Sequence, residues 1–452
     1  MIRFFKVKHI ACHSSLRVVV CFFYAPFSPF RFLFSDFLEK NMPFYFVLSP
    51  ICAIFAVSIN IRSFLRYQKY TQMRVLIVNT SEKTGGAAVA ANRLMDALNN
   101  NGVKAKMLVR DKETEDITVV SLPRSLRLQW NFLWERWCVF WHLHFSRQRL
   151  WEVDMATSGT DITRLREFQE ADVIHLSWIN QGMLSLKNIR KIIRSGKPVV
   201  WTMHDLWPAT GICHYARGCN RYASACGNCP LLPNKGSKND LSAKIFRRKK
   251  ELYHRGAISF VTCSRWLERQ AKGSGLFVGQ RITNIPNPID THVFCPQNQA
   301  EARLRAGLPA DKHIILFVSQ RVTDGRKGMR YFIEAIDRLV ARYPEMKENT
   351  AIAILGGHSE EVNLTLPSYS LGYVSDEKQI VAIYNSADAF VLPSLEDNLP
   401  NTIMESMACG VPGIGFRVGG IPEMIDHQQN GYVANYRDTE DLASGIHWVL
   451  EE

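Results

Sequence analysis

Acidic residues are scarce at the start of this chain: residues 1–72 hold two Asp or Glu against nine Lys or Arg. That segment therefore supplies +7 of the formal +13, and the remaining 380 residues share the other +6. So thin a spread argues against a nucleic-acid footprint, which concentrates basic charge on one face. The run Arg247-Arg-Lys-Lys250 reads instead as a solvated helix face. Charge is absent altogether from residues 41–61, a length able to cross a bilayer. Arg62, Arg66 and Lys69 follow it, which fits a C-terminal side facing the cytoplasm. The competing reading takes Met73, at the head of MRVLIVNTSEKTGG, as the true start, with residues 1–72 an upstream stretch that the cell does not use. No clear cleavable signal accompanies the eleven cysteines, so a reducing, cytoplasmic setting is expected. No tandem repeat is visible.

At 452 residues, 46% of them apolar, the chain is long enough for two or three domains with real cores. Apolar runs at 75–79, 106–109, 173–176, 199–202 and 258–263 alternate with helical patterns. A second series follows at 314–319, 351–355, 369–371, 389–392 and 411–416. Continuous apolar strands separated by helices indicate buried parallel sheets, hence two doubly wound α/β domains, 73–295 and 296–452. Ile285-Pro-Asn-Pro-Ile-Asp290, with its two prolines, lies between them as a stiff connector. A last helix is expected from about Thr439 to the end of the chain.

The richest stretch is PSLEDNLPNTIMESMACGVPGIGFRVGGIPE, residues 393–423. A strand runs into a loop of acids and amides; a helix is expected to begin at Pro400 and to stop at Gly410. Asp397 and Glu405 stand in a D-x7-E spacing. Gly419-Gly420 follow a short strand, and Pro422 is expected to open another helix. Two strand-to-helix turns with free N–H groups beside two carboxylates suit a ligand with phosphates at one end and hydroxyls at the other.

This segment resembles the donor site of family 4 retaining glycosyltransferases of the GT-B fold, whose mark is E-x7-E. The NLPNTIMES run is most similar to the bacterial exopolysaccharide and colanic-acid branch. Here Asp397 replaces the first glutamate, and Glu396 is one residue out of register with Glu405. The resemblance implies a ribose contact from Glu405 and donor contacts from Asn398, Leu399, Gly419 and Gly420. It implies that an arginine and a lysine of Ser319-Gln-Arg-Val-Thr-Asp-Gly-Arg-Lys-Gly328 clamp a diphosphate. Lys327 matches the lysine, while Arg321 and Arg326 both qualify as the arginine. Gly85-Gly86 would close over the donor and acceptor, and His204, ending a strand in WTMHD, would stand by the reacting sugar. His175 is open between a site role and a core position. The family shows crossover helices after the last helix found here, so the chain looks truncated.

The implied activity is transfer of a sugar from a nucleotide donor to a polysaccharide or lipid-linked oligosaccharide, with retention and no catalytic metal or other cofactor. A sugar-nucleotide epimerase and an inactive scaffold subunit remain alternatives. Cys213, Cys219, Cys226 and Cys229, spaced by 5, 6 and 2 residues, allow a structural zinc site with His214 as a spare ligand, or free thiols, or a disulfide. Trp130, Trp134, Trp137 and Trp141 fall on one helix face among Arg124, Arg127, Arg136, Arg147 and Arg149. That stripe is either domain core or contact with the inner face of a membrane or a lipid-linked acceptor.

Overall fold

The computed structural model describes residues 73–123 and 125–451. The apolar segment 41–61 and Arg124 thus lie outside the described residues.

The first sheet contains seven parallel strands. They are β1 (Arg74–Val78), β2 (Lys104–Val109), β3 (Val119–Ser121), β4 (Val173–Leu176), β5 (Val199–Met203), β6 (Ile258–Thr262) and β7 (Arg281–Asn284). Their order is 3-2-1-4-5-6-7. The helices of this domain are α1 (Gly86–Asn100), α2 (Leu126–His142), α3 (Leu186–Arg194), α4 (Leu241–His254) and α5 (Arg265–Lys272), besides a short turn at Arg166–Glu170. The unbroken apolar run of β1 has a simple cause. Val75 and Ile77 face a core with Ala91 and Met95 of α1. Leu76 and Val78 face the opposite core with Ile189 and Ile192 of α3. A strand buried on both faces cannot alternate polar and apolar residues.

The second sheet repeats the plan with β8 (His313–Arg321), β9 (Thr350–Gly357), β10 (Ser368–Gly372), β11 (Ala389–Leu392), β12 (Gly413–Phe416) and β13 (Gly431–Ala434). All are parallel in the order 10-9-8-11-12-13. Its helices are α6 (Gln299–Ala306), α7 (Met329–Arg342), α8 (Glu377–Asn385), α9 (Asn401–Ala408) and α10 (Thr439–Glu451), besides a short turn at Met346–Asn349. Ile315 and Phe317 of β8 pack with Phe332 and Ile336 of α7. Ile314 and Leu316 turn to the other core, with Ile403 of α9. In both domains the order reverses beside the first strand, between β1 and β4 and between β8 and β11. Ligands of open α/β sheets bind outside the strand ends at such a reversal.

Two local expectations are corrected. Pro400 is the residue before α9 rather than its first helical residue; it keeps φ −67° but turns to ψ 115°, and Asn401 begins the helix. Pro422 opens only a single 3-10 turn, Ile421–Glu423, because the chain bends away again before Asp426. Three strands escaped the apolar-run reading. β3 has three residues, β7 reads Arg-Ile-Thr-Asn at the sheet edge, and β13 opens on glycine.

The tryptophan stripe does not enter the core. On α2 the buried side is polar, with Asn131, Glu135 and Arg136 beside Val139. Glu135 accepts hydrogen bonds from the amides of Met155, Thr157 and Ser158, and Arg136 pairs with Asp154 at 2.8 Å. The indoles face out.

Candidate donor site between the two sheets

The loop after β8 and the loop after β11 meet at the second domain's reversal point. Asp324 caps the short turn Gly325–Lys327 by accepting from the Arg326 amide. That turn aims Lys327 at the loop opposite. Its Nζ donates to Asp397 Oδ2 at 2.6 Å. Arg326 Nη1 stands 3.7 Å from the same oxygen. Burial alone would raise the Asp397 carboxyl, but Lys327 and Arg326 beside it, with Ser394 donating a hydrogen bond, hold it below the usual carboxylate value. It is therefore an anion gripped by two cations.

The two cations are held differently. Arg326 is pinned by the Asp324 carboxylate, by the Glu396 carbonyl at 3.1 Å and by the Tyr215 ring at 4.4 Å. Lys327 pairs with Asp397 alone among the described residues and has three rotatable donors. Arg321 ends β8 exposed, and its side chain makes no hydrogen bond or ion pair among the described residues. The structure thus gathers Arg326 and Lys327 at Asp397 and leaves Arg321 at the strand end.

Glycine is required where these loops touch. Gly328 has φ +79°, and a Cβ there would sit 1.9 Å from the Pro393 carbonyl oxygen. Gly419 has φ +60°, and its Cβ would fall 1.6 Å from the Asp397 oxygen. Gly419 and Gly420 therefore press on the backbone of the loop that carries Asp397 and Asn398. Only a 3-10 turn follows them, so the second helix N-terminus expected at this point is not formed. Gly419→Ala combines a disfavoured backbone with overpacking, which costs about 1–3 kcal/mol or more. A thermal unfolding midpoint several degrees lower, together with weaker nucleotide binding, is the expected result. An unchanged midpoint contradicts the tight packing.

Glu405 lies one helical turn into α9. It accepts from Tyr384 Oη at 2.7 Å and from Arg93 Nη2 of the first domain at 2.7 Å. Arg93 also stacks over Phe294 at 4.8 Å, and its Nη1 is buried without a partner. A carboxylate has about four acceptor positions, so Glu405 keeps two for other donors.

Other cross-domain pairs close around the same loop. Glu396 accepts from the amides of Ala216 and Arg217 at 2.9 and 3.0 Å. Burial pushes its carboxyl up, and those two amides pull it part of the way back. Asn398 donates to the His204 carbonyl at 3.2 Å and accepts from Ser264 Oγ at 2.5 Å. Glu423 accepts from the first amides of α5, those of Arg265 and Trp266, where a helix N-terminus favours a carboxylate. Asn401 donates to the Gly86 carbonyl at 2.9 Å. Gly85 precedes α1 as its N-cap. Leu399 is half-buried between these contacts. Arg93, Tyr215, Ser264, Tyr384 and Glu423 carried no sequence signal for this site.

His204 is half-buried at the end of β5. Its Nε2 lies 3.0 Å from Ser177 Oγ, and its Nδ1 3.6 Å from Cys263 Sγ. Burial drives its pKa down to about 4, against a small opposing pull from Asp205. The ring is consequently neutral across pH 5–8. Imidazole NMR should show no imidazolium for His204 above about pH 5; titration near pH 6.5 contradicts the dehydrated environment. His175 takes the core position, fully packed with Nε2 2.7 Å from Thr202 Oγ1.

The cysteine block folds against this side of the first domain. Cys213, Cys219, Cys226 and Cys229 line one small cavity of about 20 Å³ together with Tyr222. Their sulfurs do not converge. Among the described residues the one trio within metal-sharing distance is exposed His358, Glu360 and Glu361. Burial raises Cys213 to about 12 and Cys226 to about 11. His214 is taken by Asp205 at 2.7 Å. As placed, these four sulfurs form no group within ligand-sharing distance, so zinc is not supported here, and none of them is in a disulfide.

Comparison with known proteins covers both domains. Residues 84–293 match the model described as Glycosyltransferase Family 4, and residues 312–452 the model described as Glycosyl transferases group 1. Among curated proteins, a D-inositol 3-phosphate glycosyltransferase of Thermobifida fusca is 28% identical over 185 residues, 38% of this chain and 42% of the relative. One from Streptosporangium roseum is 30% identical over 175 residues, 35% and 39% of the two chains. The match thus spans about two fifths of the length of these relatives. Among solved structures, sucrose-phosphate synthase from Thermosynechococcus elongatus has a TM-score of 0.54 at 18% identity, covering 84% of this chain and 90% of its own. Anabaena Alr3699/HepE in complex with UDP and glucose has 0.55 at 16%, with the same coverage.

Proposed function

We propose that this GT-B chain, whose two domains are of the family 4 and group 1 glycosyltransferase types, moves a sugar from a nucleotide donor to a hydroxyl of a polysaccharide or lipid-linked oligosaccharide. The observation that carries this reading is the cluster of Lys327, Arg326 and Asp397 at one sheet's reversal point, with Glu405 beside it and the other sheet's strand ends facing it.

The chemistry follows from the residues. As the glycosidic bond breaks, negative charge grows on the departing diphosphate. Lys327, whose recorded contact is one exchangeable ion pair, is placed to move from Asp397 onto that charge. A positive group that meets the developing charge lowers the barrier. Arg326 is held fast and orients the loop; Arg321 offers a second, solvent-facing cation. Glu405 takes the ribose hydroxyls on its free acceptor positions. Asp397, released from Lys327, faces the sugar hydroxyls, one methylene shorter than the glutamate it replaces in the resemblance. His204, neutral and tied to Ser177, presents a dipole rather than a charge to the sugar. Retention, with the leaving phosphate taking the acceptor proton, rests on the family likeness and uses no protein nucleophile.

The bound UDP of the Anabaena neighbour makes UDP-sugars the first members of a donor panel. Thermal shift with nucleoside diphosphates and their sugars is expected to pick out one base. A ligand present at 100 times its dissociation constant stabilises by about 2.7 kcal/mol. No shift with any member overturns the donor reading.

A further inference from the structure

We propose that the outward face of α2 and the turn after it form a docking surface for an anionic lipid bilayer. This inference does not depend on the sugar chemistry of the cleft.

Three polar residues of this helix, Asn131, Glu135 and Arg136, are buried, and each has a reason to be. Glu135 gathers the backbone amides of Met155, Thr157 and Ser158, Arg136 pairs with Asp154 and donates to the Leu150 carbonyl, and Asn131 reaches Thr160. These hydrogen bonds fix α2 in register, and Val139 packs beside them in a small apolar cluster. Its backbone packs directly on Gly182, where a Cβ would meet Asn131 at 2.8 Å.

The outward side carries the aromatic rings, beside exposed Arg127, Gln129 and His142. Trp130, Trp134, Trp137 and Trp141 are 61, 44, 50 and 58% exposed, and Phe145, in the turn that follows, is 54% exposed. Trp130 stacks on Trp134, and Phe145 meets Trp137 and Trp141 edge-on, so the rings form two clusters along one side of the helix. A soluble domain rarely leaves such a patch uncovered. Single exposed apolar residues need no explanation; a run of indoles over three helical turns does.

The charge around the patch chooses the occupant. Arg127 and Arg147 are exposed, and Arg149 is half-exposed. The one acid of α2, Glu135, is buried, so no carboxylate of the helix faces out with the indoles. Indole with guanidinium and no acid is complementary to lipid headgroups of negative charge: tryptophan settles at the headgroup level, and each arginine adds attraction to anionic lipid. Among the described residues no helix is long and apolar enough to cross a membrane. The proposed mode is accordingly interfacial. The helix packs on the loop after β4, the strand whose end carries Ser177 and through it His204. A bilayer docked here brings lipid-linked chains to the domain that faces the donor loop.

The test uses the full chain and vesicles of phosphatidylcholine with and without phosphatidylglycerol. Because residues 41–61 are themselves apolar, binding is read as the difference between variants. Trp134→Ser/Trp137→Ser/Trp141→Ser is expected to lower the partition coefficient roughly tenfold or more. Arg127→Glu/Arg147→Glu is expected to abolish the preference for the anionic vesicles, as is high salt. In the unaltered protein, lipids brominated near the headgroup should quench tryptophan emission, while aqueous iodide should quench it only before vesicles are added. That measurement needs no variant and stands if the tryptophan triple variant fails to fold. Equal partitioning of a folded triple variant overturns the proposal. So does an indole face already shielded from iodide without lipid, which would mean that residues 1–72 cover it. So does a dimer that the same substitutions split while vesicle binding persists.

Discussion

Lys327→Ala is expected to lower kcat by about 100- to 1000-fold while weakening donor binding by much less. In the resting arrangement the ammonium is spent on Asp397 at 2.6 Å, so its attraction for a ground-state diphosphate is partly offset by the pair it must leave. That offset shrinks as the leaving group gains charge. The benefit is therefore concentrated in the transition state, and the loss belongs in kcat. Lys327→Arg should recover part of it, since the charge returns but its planar fork fits the slot of a point charge poorly. The check is steady-state kinetics beside a direct dissociation constant for the donor. A rise in KM with kcat unchanged would show uniform binding and remove Lys327 from the chemistry. Stability should be measured alongside. Removing Lys327 leaves Asp397 with Arg326 at 3.7 Å and Ser394, which is a looser pairing for a buried carboxylate.

Glu405→Ala should weaken nucleotide affinity by roughly 1.5–3 kcal/mol, about 10- to 100-fold, the scale of hydrogen bonds to a charged group. The substitution also strips Arg93 of its anion. Arg93 then keeps only the Phe294 ring, with one nitrogen already unpartnered. For this reason Glu405→Gln is the cleaner variant: it keeps volume and one oxygen but loses half of the bidentate acceptor. Calorimetry with the nucleoside diphosphate chosen by the panel separates the outcomes. Unchanged affinity in a folded Glu405→Ala protein would sink the ribose contact. A loss of folding in Glu405→Ala with near-normal affinity in Glu405→Gln would assign the residue to holding the two domains together.

The parallel sheets were legible because strands buried on both faces must be apolar without interruption, as β1 and β8 are. Edge strands obey no such rule. β7, Arg-Ile-Thr-Asn, has one face in solvent, and β3 is too short to show a pattern. The site was legible where its parts are local. The lysine-glycine turn, the acids after β11 and Gly419 each sit in a strand-to-helix loop whose chemistry reads from a few neighbouring residues. The pairs that join the domains were not legible. Arg93 and Glu405 lie 312 residues apart, and nothing on α1 marks that one arginine as the partner. Glu423 likewise caps α5 across 158 residues. The helix expected from Pro422 shows the limit of proline as a signal. It sets φ for a first turn, but Gly419 and Gly420 are there to let the loop pack on Asp397 and Asn398, and the turn ends after three residues. The tryptophan stripe had the right period for a core helix. Its orientation was decided by Glu135 and Arg136, whose partners at residues 154–158 lie in a loop with no regular pattern.

The central claim is that this cleft breaks a nucleotide-sugar bond for transfer to an acceptor hydroxyl. The measurement that tests it most directly is nucleotide release from the donor selected by thermal shift, followed with and without polysaccharide or lipid-linked acceptors, with product mass recorded in the same reaction. The account predicts slow release alone, faster release with one acceptor class, and one glycosyl unit gained by the acceptor for each nucleotide freed. Rapid nucleotide release that no acceptor accelerates and that leaves every acceptor mass unchanged would contradict it.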